Sequence, residues 1–187
     1  MAPPRRFKDR TAAGEALAEA LQERDGDVDI VLAIPRGALP LGRAVADALD
    51  VPLDIVVASK IGAPGNPEYA IGAVASDGTT WRNEEAIRAT GADEDYFEQE
   101  RESELAVARD KADRYRGDEP APDLSGKRVA VVDDGVATGA TARACLELLA
   151  GSGAERVVLA VPVGPPDTVD ELSAMVDEVV CLATPSS

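Results

Sequence analysis

Six short runs dominate the pattern of the 187-residue chain: DIVLAI (29–34), LDIVVA (53–58), IGAVA (71–75), RVAVV (128–132), RVVLAV (156–161) and EVVCL (178–182). Most are apolar at consecutive positions rather than at alternate ones. A strand of that kind has no face to offer water and must be covered on both sides, which is the situation of a parallel sheet sandwiched between helices. The segments between the runs supply the helices. Residues 11–24, TAAGEALAEALQER, put Ala13, Leu17, Ala20 and Leu21 on one face, with Asp9 or Thr11 as cap. Residues 38–49 read as a second helix, ended by Pro52, and further helices are expected over 93–115, 141–150 and 167–174. On the long charged segment, the pairs Glu98/Glu102, Glu100/Glu104 and Glu104/Lys111 indicate an exposed face dominated by acids. GAPGNPEYA (62–70) and GDEPAPDLSG (117–126) carry turn residues without periodicity and read as loops. The expected fold class is therefore α/β, a parallel sheet with helices on both faces. The length suits one domain over 1–187, with a core of about 28–182.

Charge narrows the function. Thirty-five acids stand against nineteen bases, a net charge of -16, and only four of the bases are lysine. Such a surface repels nucleic-acid phosphates and anionic membranes, and resembles the acid-rich surfaces of proteins from high-salt cytoplasm. No nucleic-acid or membrane partner is expected. The chain contains no histidine, which removes the commonest general base and the commonest zinc ligand. Cys145 and Cys181 lie far apart within apolar runs and are expected as buried free thiols. No run approaches membrane-spanning length, and a cytoplasmic location is expected.

One strand end does not fit a purely structural account. RVAVV runs directly into Asp133 and Asp134 and then into GVATGAT, just before an expected helix. Carboxylates are seldom buried unless paired or bound to something, so the pair either faces solvent or serves a ligand. The residues 137–141 turn into the helix, where unpaired backbone N–H groups and the helix dipole favour an anion, and Thr138 and Thr141 add hydroxyl donors. Gly139 lets the backbone approach that anion without a side chain intervening. Two acids beside a phosphate cradle match a ribose 5-phosphate, with the vicinal diol on Asp133 and Asp134 and the phosphate on Ala137, Thr138, Gly139, Ala140 and Thr141.

VAVVDDGVATGAT resembles the signature of the type I phosphoribosyltransferases, which bind phosphoribosyl diphosphate (PRPP). LAIPRGALPLGRAVADAL (32–49) is similar to that family's first strand, diphosphate loop and following helix. PRG, SKIGAPGNPEYAIGAVASDG and VDDGVATGAT together resemble the group described as "predicted phosphoribosyltransferase" proteins. Members of that group continue past a CLATP segment with an aromatic-rich tail that does not follow Ser187 here.

The resemblance implies a Rossmann-like core with a small hood, drawn from residues 5–11, 79–88 and the C-terminal segment. It implies magnesium carried with PRPP, and a catalytic role for Arg36 and Lys60. Pro35, Arg36 and Gly37 would form the diphosphate loop, with a strained cis peptide at Pro35–Arg36 or Arg36–Gly37. Residues 59–69 would be a mobile loop closing over the reacting centre. Phe7, Tyr69 and Trp81 are candidates to stack on a base. Ala137 stands where 6-oxopurine enzymes of the family carry an aspartate, which favours an adenine-like acceptor. A homodimer is expected. The activity implied is transfer of phosphoribosyl from PRPP to a nitrogen nucleophile. The alternatives are a non-catalytic PRPP sensor and an enzyme that hydrolyses or cyclises a related ribose phosphate.

Overall fold

The structure is a computed structural model and describes residues 8–24, 27–35, 37–117, 119–136 and 139–184. Five parallel strands form the main sheet: β1 (Ile30–Ala33), β2 (Leu53–Ile55), β6 (Arg128–Val132), β7 (Arg156–Val163) and β8 (Glu178–Ala183), in the spatial order β2-β1-β6-β7-β8. β1 and β6 are buried at every position but the first of β6, as their unbroken apolar runs require. One face packs on α1 (Arg10–Gln22) and α2 (Leu39–Leu49), through Leu17, Leu41, Val45 and the strand residues Val31, Ala130 and Ala160. The other face packs on α5 (Ala140–Ala150), through Leu32, Val131, Leu159, Cys145 and Leu146. With α6 (Pro166–Ser173) beside β8, this is the α/β fold expected.

Local signals set the helix ends. Asp9 caps α1, its Oδ1 accepting from the Ala12 N–H at 2.8 Å. α2 ends in a left-handed Asp50, two residues before Pro52. The two helices cross closely at Gly14, where a Cβ would lie 2.7 Å from the Ala44 methyl.

The segment 58–82 departs from expectation. Residues 59–70 fold not as a loop but into an antiparallel hairpin, β3 (Ala58–Ala63) and β4 (Asn66–Ala75), turning at Pro64–Gly65 and joined by β5 (Thr80–Arg82). The run 71–75 thus belongs to this second sheet and not to the parallel one. Pro67, Glu68 and Tyr69 form an irregularity in the ladder that folds back on Gly62. Helices α3 (Glu84–Thr90) and α4 (Glu94–Arg116) cover the sheet, with Phe97 buried against Ile61 and Ile71. Glu104 does not sit on an acidic exposed face. It is half-buried and accepts from the Ser59 hydroxyl at 2.6 Å, and Ser59 is a buried polar residue. Cys145 is buried as expected, whereas Cys181 is half-buried; both are free thiols.

Candidate active site at the carboxyl edge of the sheet

In a parallel sheet covered on both faces, ligands bind beyond the carboxyl ends of the strands. The register brings two such ends together. Ala33 of β1 pairs with Val132 of β6, and the Ile34 N–H continues the ladder to the Val132 carbonyl at 3.0 Å. The segment after β1 and the segment after β6 therefore leave the sheet side by side, although about a hundred residues separate them in sequence.

Their contact is tight. A Cβ on Gly37 would lie 2.1 Å from Asp134 Oδ2 and 2.8 Å from its Cγ, so a side chain at this position would have to displace this carboxylate. The second loop is fixed from below. Asp133 N–H donates to the Ala160 carbonyl and Val136 N–H to the Val163 carbonyl, both at 3.2 Å, with Val136 buried. Asp133 Oδ1 accepts from the Asp134 N–H at 2.8 Å. Asp134 Oδ2 also accepts from Nη2 of Arg10 at 3.5 Å, which reaches it from the first turn of α1.

The two carboxylates have unlike surroundings. Burial pushes the Asp133 carboxyl up to about 7, and the neighbouring Asp134 charge adds to the rise against the pull of the Asp134 N–H bond. Hydroxyl donors or cations brought to an acid held so far above the ordinary carboxylate range would stabilise its charged form. A few residues later the chain enters α5 through Gly139, left-handed at φ 79. Among the described residues no side chain caps this helix. Its first N–H groups and dipole lie just beyond the acidic pair, as anion binding would require.

Of the residues singled out from the sequence, Pro35, Gly37, Asp133, Asp134, Gly139, Ala140 and Thr141 lie in these two adjoining loops or at the start of α5. Arg36, Ala137 and Thr138, and with them the anticipated cis peptide, fall outside the described residues, as does Phe7. Lys60 lies on β3, its ammonium 3.3 Å from both the backbone carbonyl and a carboxylate oxygen of Glu68. The hairpin carrying it is tied to α4 by the Tyr96 hydroxyl, which donates to the Gly62 carbonyl at 2.8 Å. Trp81 is half-buried and packs against the main core, while Tyr69 is exposed on β4. Arg10 was foreseen only as part of a hood segment. Its contact with Asp134 is not encoded in any local motif, because it depends on how α1 crosses α2.

The chain is also similar to known proteins. A model of the family described as "Phosphoribosyl transferase domain" matches residues 6–186. Over 96% of this chain, Mycobacterium tuberculosis proteins named "Putative phosphoribosyl transferase" are 41% identical, and the chain spans 41% of their length. The crystal structure of TT1426 from Thermus thermophilus superposes with a TM-score of 0.87 at 44% identity, covering 97% of this chain and 86% of that one. A purine phosphoribosyltransferase from Pyrococcus horikoshii shares the fold at 19% identity and a TM-score of 0.52, over 95% of this chain and 91% of its own.

Proposed function

Because the chain belongs to the phosphoribosyl transferase domain family, we propose that its carboxyl-edge site binds PRPP and transfers the phosphoribosyl group to a nitrogen nucleophile, releasing diphosphate. The observation that carries this reading is the contact of Gly37 with Asp134, which puts a loop suited to a leaving diphosphate against a carboxylate suited to the ribose diol. On PRPP the diphosphate at C1 and the hydroxyls at C2 and C3 are neighbours on one face of the ring, so one ligand spans both loops.

In this reading Asp133 and Asp134 accept from the two hydroxyls. Residues 137–141 hold the 5-phosphate on the amides at the start of α5. Pro35, Arg36 and Gly37 take the diphosphate. The C1–O bond breaks with both electrons leaving on diphosphate, the nitrogen lone pair closes on C1, and the surplus proton of the nucleophile passes to solvent. The protein's main contribution is to stabilise charge gathering on the leaving group, which is the part assigned to Arg36, and to Lys60 once it exchanges Glu68 for the ligand. The described residues contain no group of three or more His, Cys, Asp or Glu able to hold a metal. Magnesium would therefore come with the ligand's own oxygens, beside Asp133 and Asp134, and would neutralise part of the diphosphate charge. We take residues 1–187 as one phosphoribosyltransferase domain, with an adenine-like base as the acceptor class, from Ala137. No described helix is long and apolar enough to cross a membrane.

The test is diphosphate release from PRPP with magnesium across a panel of nucleobases and amines. Release that depends on one acceptor class supports transfer. PRPP binding without release for any acceptor would make the protein a sensor, and absence of PRPP binding would refute the site itself.

A further inference from the structure

We infer that Arg10 is a binding residue for the leaving diphosphate, reaching it across Asp134 from the first turn of α1. The inference rests on the PRPP reading above and adds to it a cation that no sequence motif contains.

Three observations carry it. Arg10 Nη2 lies 3.5 Å from Asp134 Oδ2, the oxygen that Gly37 faces, so the guanidinium stands where the diol acceptor meets the diphosphate loop. Only one of its five N–H donors is committed among the described residues, and its side chain is 61% exposed. A contact so exposed is weak, and the remaining donors are free to form the two-pronged bond that guanidinium makes with phosphate oxygens.

The second observation is the position of Arg10 on its helix. It is the first residue of α1, where the helix dipole disfavours a cation, and the first turn contains no acid. Helix stability does not account for a cation there, whereas a ligand does. α1 is also a firm support, since it is capped by Asp9 and locked to α2 at Gly14.

The third is charge. In a chain of net charge -16, the first ten residues hold Arg5, Arg6, Lys8 and Arg10 against Asp9 alone, a net charge of +3. A polyanion approaching a protein of this net charge meets overall repulsion, and Arg10 belongs to a stretch of sequence whose charge has the opposite sign. When ribose hydroxyls occupy Asp134, Arg10 keeps one donor on the carboxylate and presents the others to the diphosphate on the same face of the ring.

The test compares three probes by calorimetry with magnesium present: PRPP, ribose 5-phosphate, and inorganic diphosphate added to the ribose 5-phosphate complex. Each is titrated into the wild type, Arg10→Ala, Arg10→Lys and Arg43→Ala. The last makes the same charge change at an exposed arginine of α2 paired only with Asp47 among the described residues. Arg10→Ala should weaken PRPP and diphosphate about tenfold or more while leaving ribose 5-phosphate within about threefold or tighter. Arg10→Lys should recover part of the loss, and Arg43→Ala should match the wild type. Equal weakening of all three probes would make Arg10 a structural residue. Unchanged PRPP and diphosphate binding would make it a surface ion pair, and the same loss in Arg43→Ala would reduce the effect to net charge. Each of these overturns the inference while leaving the PRPP site standing. A wild type that binds neither PRPP nor ribose 5-phosphate removes the site and the inference together.

Discussion

The two edges of the parallel sheet treat charge in opposite ways. At the amino edge, Arg24, Arg128 and Arg156 meet Asp27, Asp29 and Glu178. Asp29 accepts from the Arg128 backbone at 2.8 Å and from its guanidinium at 3.1 Å, and Glu178 is held by Arg156 at 2.9 Å and by Arg24. At the carboxyl edge, the one ion pair described for Asp133 and Asp134 is with the exposed Arg10. The consequence shows in their protonation. Hydrogen bonds from Arg128 hold the Asp29 carboxyl below the ordinary range, whereas burial lifts Asp133 to about 7. Charges at the amino edge are satisfied by the fold. Those at the carboxyl edge have, among the described residues, only the exposed Arg10 as a cationic partner, and this contrast supports placing the proposed site at that end without appeal to any motif.

The largest expected effect tests that contrast directly. Asp133→Asn with Asp134→Asn, compared with the wild type at about pH 8 where Asp133 is ionised, removes two charged acceptors, and at about 1.5–3 kcal/mol for each bond to a charged group PRPP binding should fall by more than about a hundredfold. The double variant should nevertheless remain folded, because it discards a buried charge rather than a satisfied one. Retained affinity, measured by calorimetry, would mean that the acids at this edge do not hold the diol.

A smaller effect appears in the pH dependence of stability without ligand. Asp133 is raised from 3.8 to about 7 in the folded protein, so between those values the native state holds more protons than the unfolded one. Its contribution is complete below about pH 4 and is lost as pH rises through about 7, at most about 4 kcal/mol for a rise of that size. Asp29 has the opposite sign: its depressed carboxyl contributes above the ordinary value of 3.8 and loses that contribution as pH falls below it. Urea unfolding from about pH 3 to about pH 8 separates the two edges. Asp133→Asn should flatten the decline between about pH 4 and 7 and exceed wild-type stability at about pH 8. Asp29→Asn should leave that decline in place, lower stability at neutral pH and reduce the loss in acid. Identical pH profiles for both variants would dissolve the distinction.

How much of this was legible in the sequence follows the same division. The parallel strands declare themselves because a strand covered on both faces is apolar at every position, as in VAVV and VVLAV. VDDGVATGAT is equally legible, since its acids break that rule where a strand should end. The antiparallel sheet is not. β3 and the first half of β4 read ASKIGA and NPEYA, with glycine, proline and charge where strand formers belong; the first four residues of β4 are exposed and the ladder is irregular at Gly62. The contacts of Gly37 with Asp134 and of Arg10 with Asp134 join residues about 100 and 124 positions apart, and no local pattern can encode them. The sequence could suggest that both loops are functional, but only the register of β1 against β6 shows that they meet.

The smallest expected effect concerns Gly139, which separates the acidic pair from the helix that would hold the phosphate. It differs from Gly37 in the kind of room it needs. At Gly37 the obstacle to a side chain is the carboxylate of Asp134, so an added methyl would disturb the proposed site. At Gly139 the backbone itself is left-handed, φ 79, and a Cβ would stand 2.9 Å from the Thr168 methyl on α6. Gly139→Ala therefore meets two moderate costs, roughly 1 kcal/mol for the backbone and a displacement of Thr168 that a short surface helix can largely absorb. Thermal or urea unfolding should show a loss of about 1–2 kcal/mol in total. The start of α5 should tilt slightly with it, so affinity for inorganic phosphate or ribose 5-phosphate should fall by only a few-fold, far less than in the double Asp variant. A loss of ribose 5-phosphate binding as large as that of the double variant, with unchanged stability, would move the centre of recognition from the carboxylates to the phosphate turn.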